Sequence, residues 1–185
     1  MSDQIPRLSA QQMPPELSSF LLPRMERLGY LGEFFQCTAH QPEALLSFLQ
    51  LTEHLKHALP NNLTEVVALT IARLMENDYE RIQHERLVRT LGFSEAWLED
   101  VLSLQADETS QLSKDELLLQ RLVMAAVRRG GRHTTEELEA VIAAIGHEQA
   151  IAVLMLIGRY ISHALIVNAL NLAPPALAVA RGKQR

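Results

Sequence analysis

A single cysteine, Cys37, is all the thiol chemistry available to this chain of 185 residues. No internal disulfide can form, and a lone thiol fits a reducing cytoplasm better than a secreted setting. Aromatic residues are scarce, 5% of a sequence that is 48% hydrophobic, and Leu and Ala dominate instead. That mixture disfavours a sheet, which draws on Val, Ile, Tyr and Phe, and suits packed helices. No segment alternates with period two, and no internal repeat is present. Positive charge does not prevail either, since 17 Lys and Arg face 22 Asp and Glu for a net charge of −5. A chain so charged has no overall attraction to nucleic acid or to an anionic membrane. The longest apolar run, "AIAVLMLIG", ends at Arg159, far short of the ~20 residues of a membrane span. The beginning, "MSDQIPRLSAQQ", lacks the basic and apolar regions of a signal peptide. A soluble, cytoplasmic protein is expected. Glycine-rich phosphate loops, nucleophile elbows and zinc-type cysteine spacings are also missing, so neither a cofactor nor a metal is expected.

Helix punctuation is abundant. "QPEALLSFLQLTEHLKHAL" carries Pro42 at a plausible first helical position and apolar residues at helical spacing. In "LTEVVALTIARLM" Leu63, Val66, Val67, Thr70, Ile71 and Leu74 line one stripe. Ser94 is a candidate N-cap, and the pairs Ser113/Glu116 and Thr134/Glu137 have capping-box spacing. Gly130 and Gly146 sit where helices end, and "RRGGR" places cations at a helix C-terminus, where they offset the macrodipole. Trp97 reads as a core anchor for its helix. A last helix, from about His147 to Leu170, is apolar on nearly every side. A small helical protein cannot easily bury such a helix on all faces, so a homo-oligomer (dimer, trimer or hexamer) is expected. The pattern predicts an all-α domain over 15–172, with loose ends at 1–14 and 173–185.

The stretch "ENDYERIQH", from Glu76 to His84, admits two readings. Asn77 can cap a helix with Glu80 three residues on, and Glu80 can pair with His84 at i,i+4 on a solvated face. Alternatively it is the entrance to a site, because Glu65 lies upstream in "LTEVVAL". In one straight helix Glu65 and His84 would stand roughly 28 Å apart and could never meet. A turn at Asn77–Asp78 would place Glu65 about 16 Å back from the bend and His84 about 10 Å beyond it, within reach of each other. "HLKH" (His54, His57) could hold a metal, yet no third ligand is evident and solvated histidines account for it.

The segment "PNNLTEVVALTIARLMENDYERIQHERLVRTLGFSEAWLEDVL" resembles the carboxymuconolactone decarboxylase family and its AhpD-like alkyl hydroperoxidase relatives. The shared pattern is a Glu in the first helix, a small polar turn, a Tyr five before a His, and a Gly eight after it. Here those are Glu65, "END", Tyr79, His84 and Gly92. The similarity runs from "HQPEALLSFLQL" to "LIGRYISHALIVNALNL", most of the chain. It implies an AhpD-like helical domain of about seven or eight helices, oligomeric, with a relay built on Glu65 and His84. The redox branch places the second Cys of a Cys-x-x-Cys four before the His, and that pair of positions holds Asn77 and Glu80 here. Without sulfur there is no thiolate to reduce a peroxide. The chain is therefore similar to the thiol-free branch, which includes a cofactor-free decarboxylase. That likeness implies a small-molecule substrate such as a carboxylated lactone, with Glu65 and His84 as an acid/base pair. Tyr79 would orient the ligand, Arg73 or Arg81 would meet its carboxylate, and Tyr160 and His163 of the last helix would line the pocket. Arg81 stands where thiol-free relatives often carry Trp, which implies a different ligand or pocket edge. A non-catalytic binding or assembly protein of the same fold is the alternative. Peroxidase activity would have to rest on Cys37, which reads as a structural thiol.

Overall fold

The computed structural model describes residues 5–105, 107 and 109–174. Among these are eight α-helices and a short 3-10 turn, with no strand. The fold class is all-α, as expected. Two compact units divide it, one of residues 52–165 and one of the described residues up to 51 and from 166. The sequence expectation was one domain over 15–172.

The first unit holds α1 (Pro15–Leu28), α2 (Glu33–Thr38), the first part of α3 (Pro42–Ala58) and the last turn of α8. Pro15 opens α1, where its missing N–H costs nothing, and Gly29 closes it in the left-handed region at φ 77°. Leu17, Leu21, Phe34, Leu45 and Leu49 are buried there. Within the segment expected to be loose, residues 5–14 are tied down. The Leu8 N–H donates to the Gln36 carbonyl, Arg7 pairs with Glu33 at 3.3 Å, and Met13 is buried. Of the expected ends, residues 1–4 and 175–185 lie outside the described residues.

The second unit is built around α4 (Asn61–Leu74), on which α5 (Asp78–Thr90), α6 (Glu95–Ser103) and α7 (Lys114–Arg129) pack. Leu63 through Ala72 are all buried, ten residues in succession. The expected single stripe is therefore a helix covered on every face, because three neighbours surround it. Polar residues come inside with it. Gln120 donates to the Val101 carbonyl at 2.8 Å and to Thr70 at 3.3 Å. Glu116 completes the predicted capping box with Ser113 and also accepts from Asn62 Nδ2 at 2.9 Å and Trp97 Nε1 at 3.3 Å. One carboxylate thus fastens three helices, and Trp97 anchors α6 as expected. Glu116→Ala leaves those buried donors unmet and lowers the unfolding free energy by about 1–3 kcal/mol, read from urea denaturation.

The last helix, α8, runs Thr135–Ala169 and is broken at Gly146, whose φ of 82° and ψ of 167° suit glycine. Two predicted helices meet there. By length and composition α8 could cross a bilayer, unlike the short run Ala150–Gly158 read from sequence. Half of its most apolar stretch is buried against the protein. Val153, Leu156, Ile157, Tyr160, Ala164 and Val167 face inward, whereas Ile151, Met155 and Leu165 are 57%, 49% and 59% exposed.

Candidate functional site

The bend that Glu65 and His84 require falls where the sequence placed it. Helix α4 ends at Leu74, Glu76 adopts φ 51°, and the Asn77 N–H turns back to the Ala72 carbonyl at 2.8 Å. A left-handed residue followed by such a backward bond is the usual way a helix stops, with Glu76 in the place glycine commonly fills. Asn77 then caps α5 by accepting from the Glu80 N–H at 3.2 Å. The capping half of the bland reading holds. The i,i+4 pair of Glu80 and His84 also forms, but on a buried rather than a solvated face, and Glu80 reaches His163 as well.

Four side chains form a chain of contacts inside the second unit. Glu65 Oε2 meets His84 Nδ1 at 2.5 Å. His84 Nε2 meets Glu80 Oε2 at 2.9 Å. Glu80 Oε1 meets His163 Nε2 at 2.8 Å. Acid and imidazole alternate along it, drawn from α4, α5 and α8. The Tyr160 hydroxyl lies 3.3 Å from His84 Nε2, and its ring stands edge-on to the imidazole with centroids 5.4 Å apart. The Tyr79 ring lies 6.0 Å from that of His163. Glu65, Tyr79, Tyr160 and His163 are each 2% exposed, and His84 is 6%.

Charge follows from this geometry. Burial pushes the His84 imidazole down, but the charge and hydrogen bond of Glu65, and then those of Glu80, outweigh it and raise its pKa to about 9. At neutral pH the ring is an imidazolium with a carboxylate on each nitrogen. Burial also opposes the charged form of Glu80, yet attraction and hydrogen bonds from His163 and His84 hold it well below the usual carboxylate range. Burial lowers His163 in spite of the charge and hydrogen bond of Glu80, and Arg159 and His84 act in the same direction as burial. Tyr160 is pushed well above its ordinary value, first by burial, and keeps its proton.

The structure brings Glu65, His84, Tyr79, Tyr160 and His163 of the sequence-derived set together. The two arginines behave differently. Arg73 is exposed in the last turn of α4. The Arg81 guanidinium is taken by Asp78 at 2.9 Å and Glu85 at 2.5 Å, its i−3 and i+4 neighbours. The cations in the field of the cluster are instead Arg159 and Lys56. Arg159 Nε donates to Thr52 at 3.0 Å, and its guanidinium lies 4.3 Å from the Tyr160 ring centre. Burial lowers the Lys56 pKa, while Glu65 and Glu80 act to raise it and Arg159 to lower it further. Neither was legible in the local pattern; Arg159 was visible only as the residue that ends an apolar run. Glu80, which the capping reading expects on a solvated face, is buried. His54 and His57 are both exposed on α3.

Neither a family model nor a curated protein matches the chain by sequence. Solved structures do match by shape. A peroxidase-related protein from Ralstonia eutropha, described as an alkylhydroperoxidase AhpD core, superposes with a TM-score of 0.80 at 12% identity. The match covers 94% of this chain and 92% of that one. The debrominase Bmp8, solved as a cysteine-to-alanine variant with 2,3,4-tribromopyrrole, gives 0.76 at 14% identity over 95% and 94% of the two chains. A protein of unknown function from Agrobacterium tumefaciens, related in name to the antioxidant defence protein AhpD, gives 0.64 at 16% identity. That match covers 75% of this chain and 94% of its counterpart. The fold is the AhpD-like, carboxymuconolactone-decarboxylase type that the sequence resemblance implied.

Proposed function

We propose that this protein is a cofactor-free acid–base enzyme of the decarboxylase or lactone-processing type, acting on a carboxylated lactone in the cytoplasm. The observation that supports it most is the buried His84 imidazolium, held on one nitrogen by Glu65. When the substrate carboxylate leaves as carbon dioxide, the pair of electrons of the broken C–C bond stays on the substrate and delocalises toward the lactone carbonyl. His84 delivers its Nε2 proton to the carbon that carried the carboxylate, so a C–H bond replaces the broken C–C bond; Glu65 stabilises the ring throughout, and solvent returns the proton to His84. Glu80 must yield Nε2 for this to happen, and its second partner, His163, gives it a place to remain hydrogen-bonded. Arg159 and Lys56 supply positive charge for the departing carboxylate, and Tyr79 and Tyr160 orient the ring.

The experiment is direct: purified protein with a carboxylated lactone, following carbon dioxide release, beside an assay with an alkyl hydroperoxide and a dithiol. Release of carbon dioxide without peroxide reduction is expected. Peroxide reduction that disappears in Cys37→Ser would reverse the assignment, since positions 77 and 80 hold Asn and Glu and the buried Cys37 is the only thiol. A second reading, a binding or assembly protein without turnover, draws on one feature. Both His84 nitrogens are already occupied by carboxylates. Saturable lactone binding with no carbon dioxide released would decide for it.

The same proposal includes a homo-oligomer, docked through the outer face of α8. Ile151, Met155, Gly158, Ser162 and Leu165 follow one another at steps of three and four, all exposed. A Cβ at Gly158 would meet nothing within 4 Å, so packing inside the chain does not call for glycine there. A mid-helix glycine costs roughly 0.5–1 kcal/mol, which close approach of a second helix offsets. Ile151 and Leu165 each lie seven residues from Gly158, so an antiparallel copy crossing at Gly158 would set Ile151 against Leu165. The double variant Ile151→Glu, Leu165→Glu is expected to sediment as a monomer with unchanged helicity; an unchanged sedimentation coefficient would put the interface elsewhere.

A further inference from the structure

A cavity of 380 Å³ opens within the first unit, and none of its lining residues belongs to the cluster around His84. Phe34, Cys37 and Leu45 are its buried floor, and Phe48, Ile166 and Leu170 its half-buried walls. His40, Gln41 and Ala44 are exposed at its mouth. Among the described residues, no Asp, Glu, Lys or Arg lines it. Its polar groups are largely spent on backbone: His40 Nε2 meets the Pro6 carbonyl at 2.9 Å, and the Thr38 hydroxyl donates to Phe34 at 2.7 Å. The surface that faces the space is almost wholly apolar, and Cys37 and Gln41 are among the residues that line it.

Protein interiors close-pack and leave few voids larger than a water molecule. An apolar hollow offers water no partners, and a desolvated ion would find no counter-charge in this one. Its volume falls within the range of small-molecule pockets, about 300–1,000 Å³. Phe34 and Phe48, with ring centroids 6.0 Å apart and tilted by 43°, present aromatic surface to it. We propose that this cavity binds a neutral, ring-bearing apolar small molecule, with the Gln41 amide meeting its one polar group at the mouth. This does not depend on the acid–base reading.

Cys37 is the single cysteine of the chain, so labelling of its thiol reports on the cavity floor alone. The test uses the full chain and N-phenyl-1-naphthylamine, a neutral probe that fluoresces when sheltered from water. Methyl methanethiosulfonate labelling is followed in parallel by mass spectrometry. The expected result is saturable binding of one probe per chain, with Cys37 labelling slowed about tenfold or more at saturation. Ala44→Phe, which fills the mouth from an exposed position, is expected to weaken the probe about tenfold or more with unchanged helicity. Non-saturable fluorescence, or labelling indifferent to bound probe, would overturn the proposal. So would equal affinity in a folded Ala44→Phe. Thiol protection that grows with protein concentration in the absence of probe would mean that a second copy fills the cavity, and would overturn it as well.

Discussion

His84→Gln is expected to lower the rate of lactone decarboxylation by about 10²–10⁴-fold, the range in which a positioned general acid acts. Gln is close to His in reach but carries no transferable proton, so the bond that fails is the new C–H bond. In the proposed reaction the substrate carboxylate meets Arg159 and Lys56 rather than His84, so KM is expected to change little and the loss to fall on kcat. Glu65→Gln is expected to follow in the same direction with a smaller loss. It keeps a hydrogen-bond acceptor near Nδ1 but removes the foremost charge that raises the imidazole to about 9. Turnover in the wild type should therefore decline as pH rises through about 9, and the decline should begin at lower pH in Glu65→Gln. Both variants are to be assayed for carbon dioxide release after circular dichroism shows them folded. Wild-type kcat in both would remove the acid–base assignment.

How much of this was legible without coordinates depends on the range over which each feature is decided. Helix ends are decided within four residues, so Ser94, Ser113 and Gly130 were readable and behave as read. The bend at Asn77 was readable for the same reason. Once it is accepted, Glu65 and His84 are near in space although 19 residues separate them. Glu80 was misjudged because its local partner, His84, is the same on a solvated face as in a buried cluster. Only His163 distinguishes the two, and that residue arrives from another helix. Arg159 and Lys56 were invisible as cations of the site, while Arg81 was chosen for being near in sequence, where Asp78 and Glu85 claim it. The burial of α4 on all sides and the exposed seam of α8 also depend on neighbours that no local period records.

Glu65→Ala is expected to cost about 3–5 kcal/mol of folding free energy, because it strips one counter-charge from a buried cation rather than deleting a whole ion pair. The wild-type pH profile carries the same information with its sign fixed. The folded pKa of His84, about 9, lies above its ordinary 6.5. Its contribution, about 3 kcal/mol for such a shift, is full below pH 6.5 and is lost as pH rises through about 9. On the acid side Glu80 and His163 are both lowered in the fold, so each contributes stability that is lost as pH falls below its ordinary value. Lys56, lowered by burial, works against the alkaline loss, because the unfolded chain still holds its proton there. Stability should thus be greatest near neutrality and slope downward toward pH 9. The alkaline slope should steepen in Lys56→Met and flatten in His84→Gln. Urea unfolding between pH 6 and pH 9.5 measures all three. An equal slope in wild type and His84→Gln over that interval would mean that His84 is not the imidazolium on which the proposed chemistry depends.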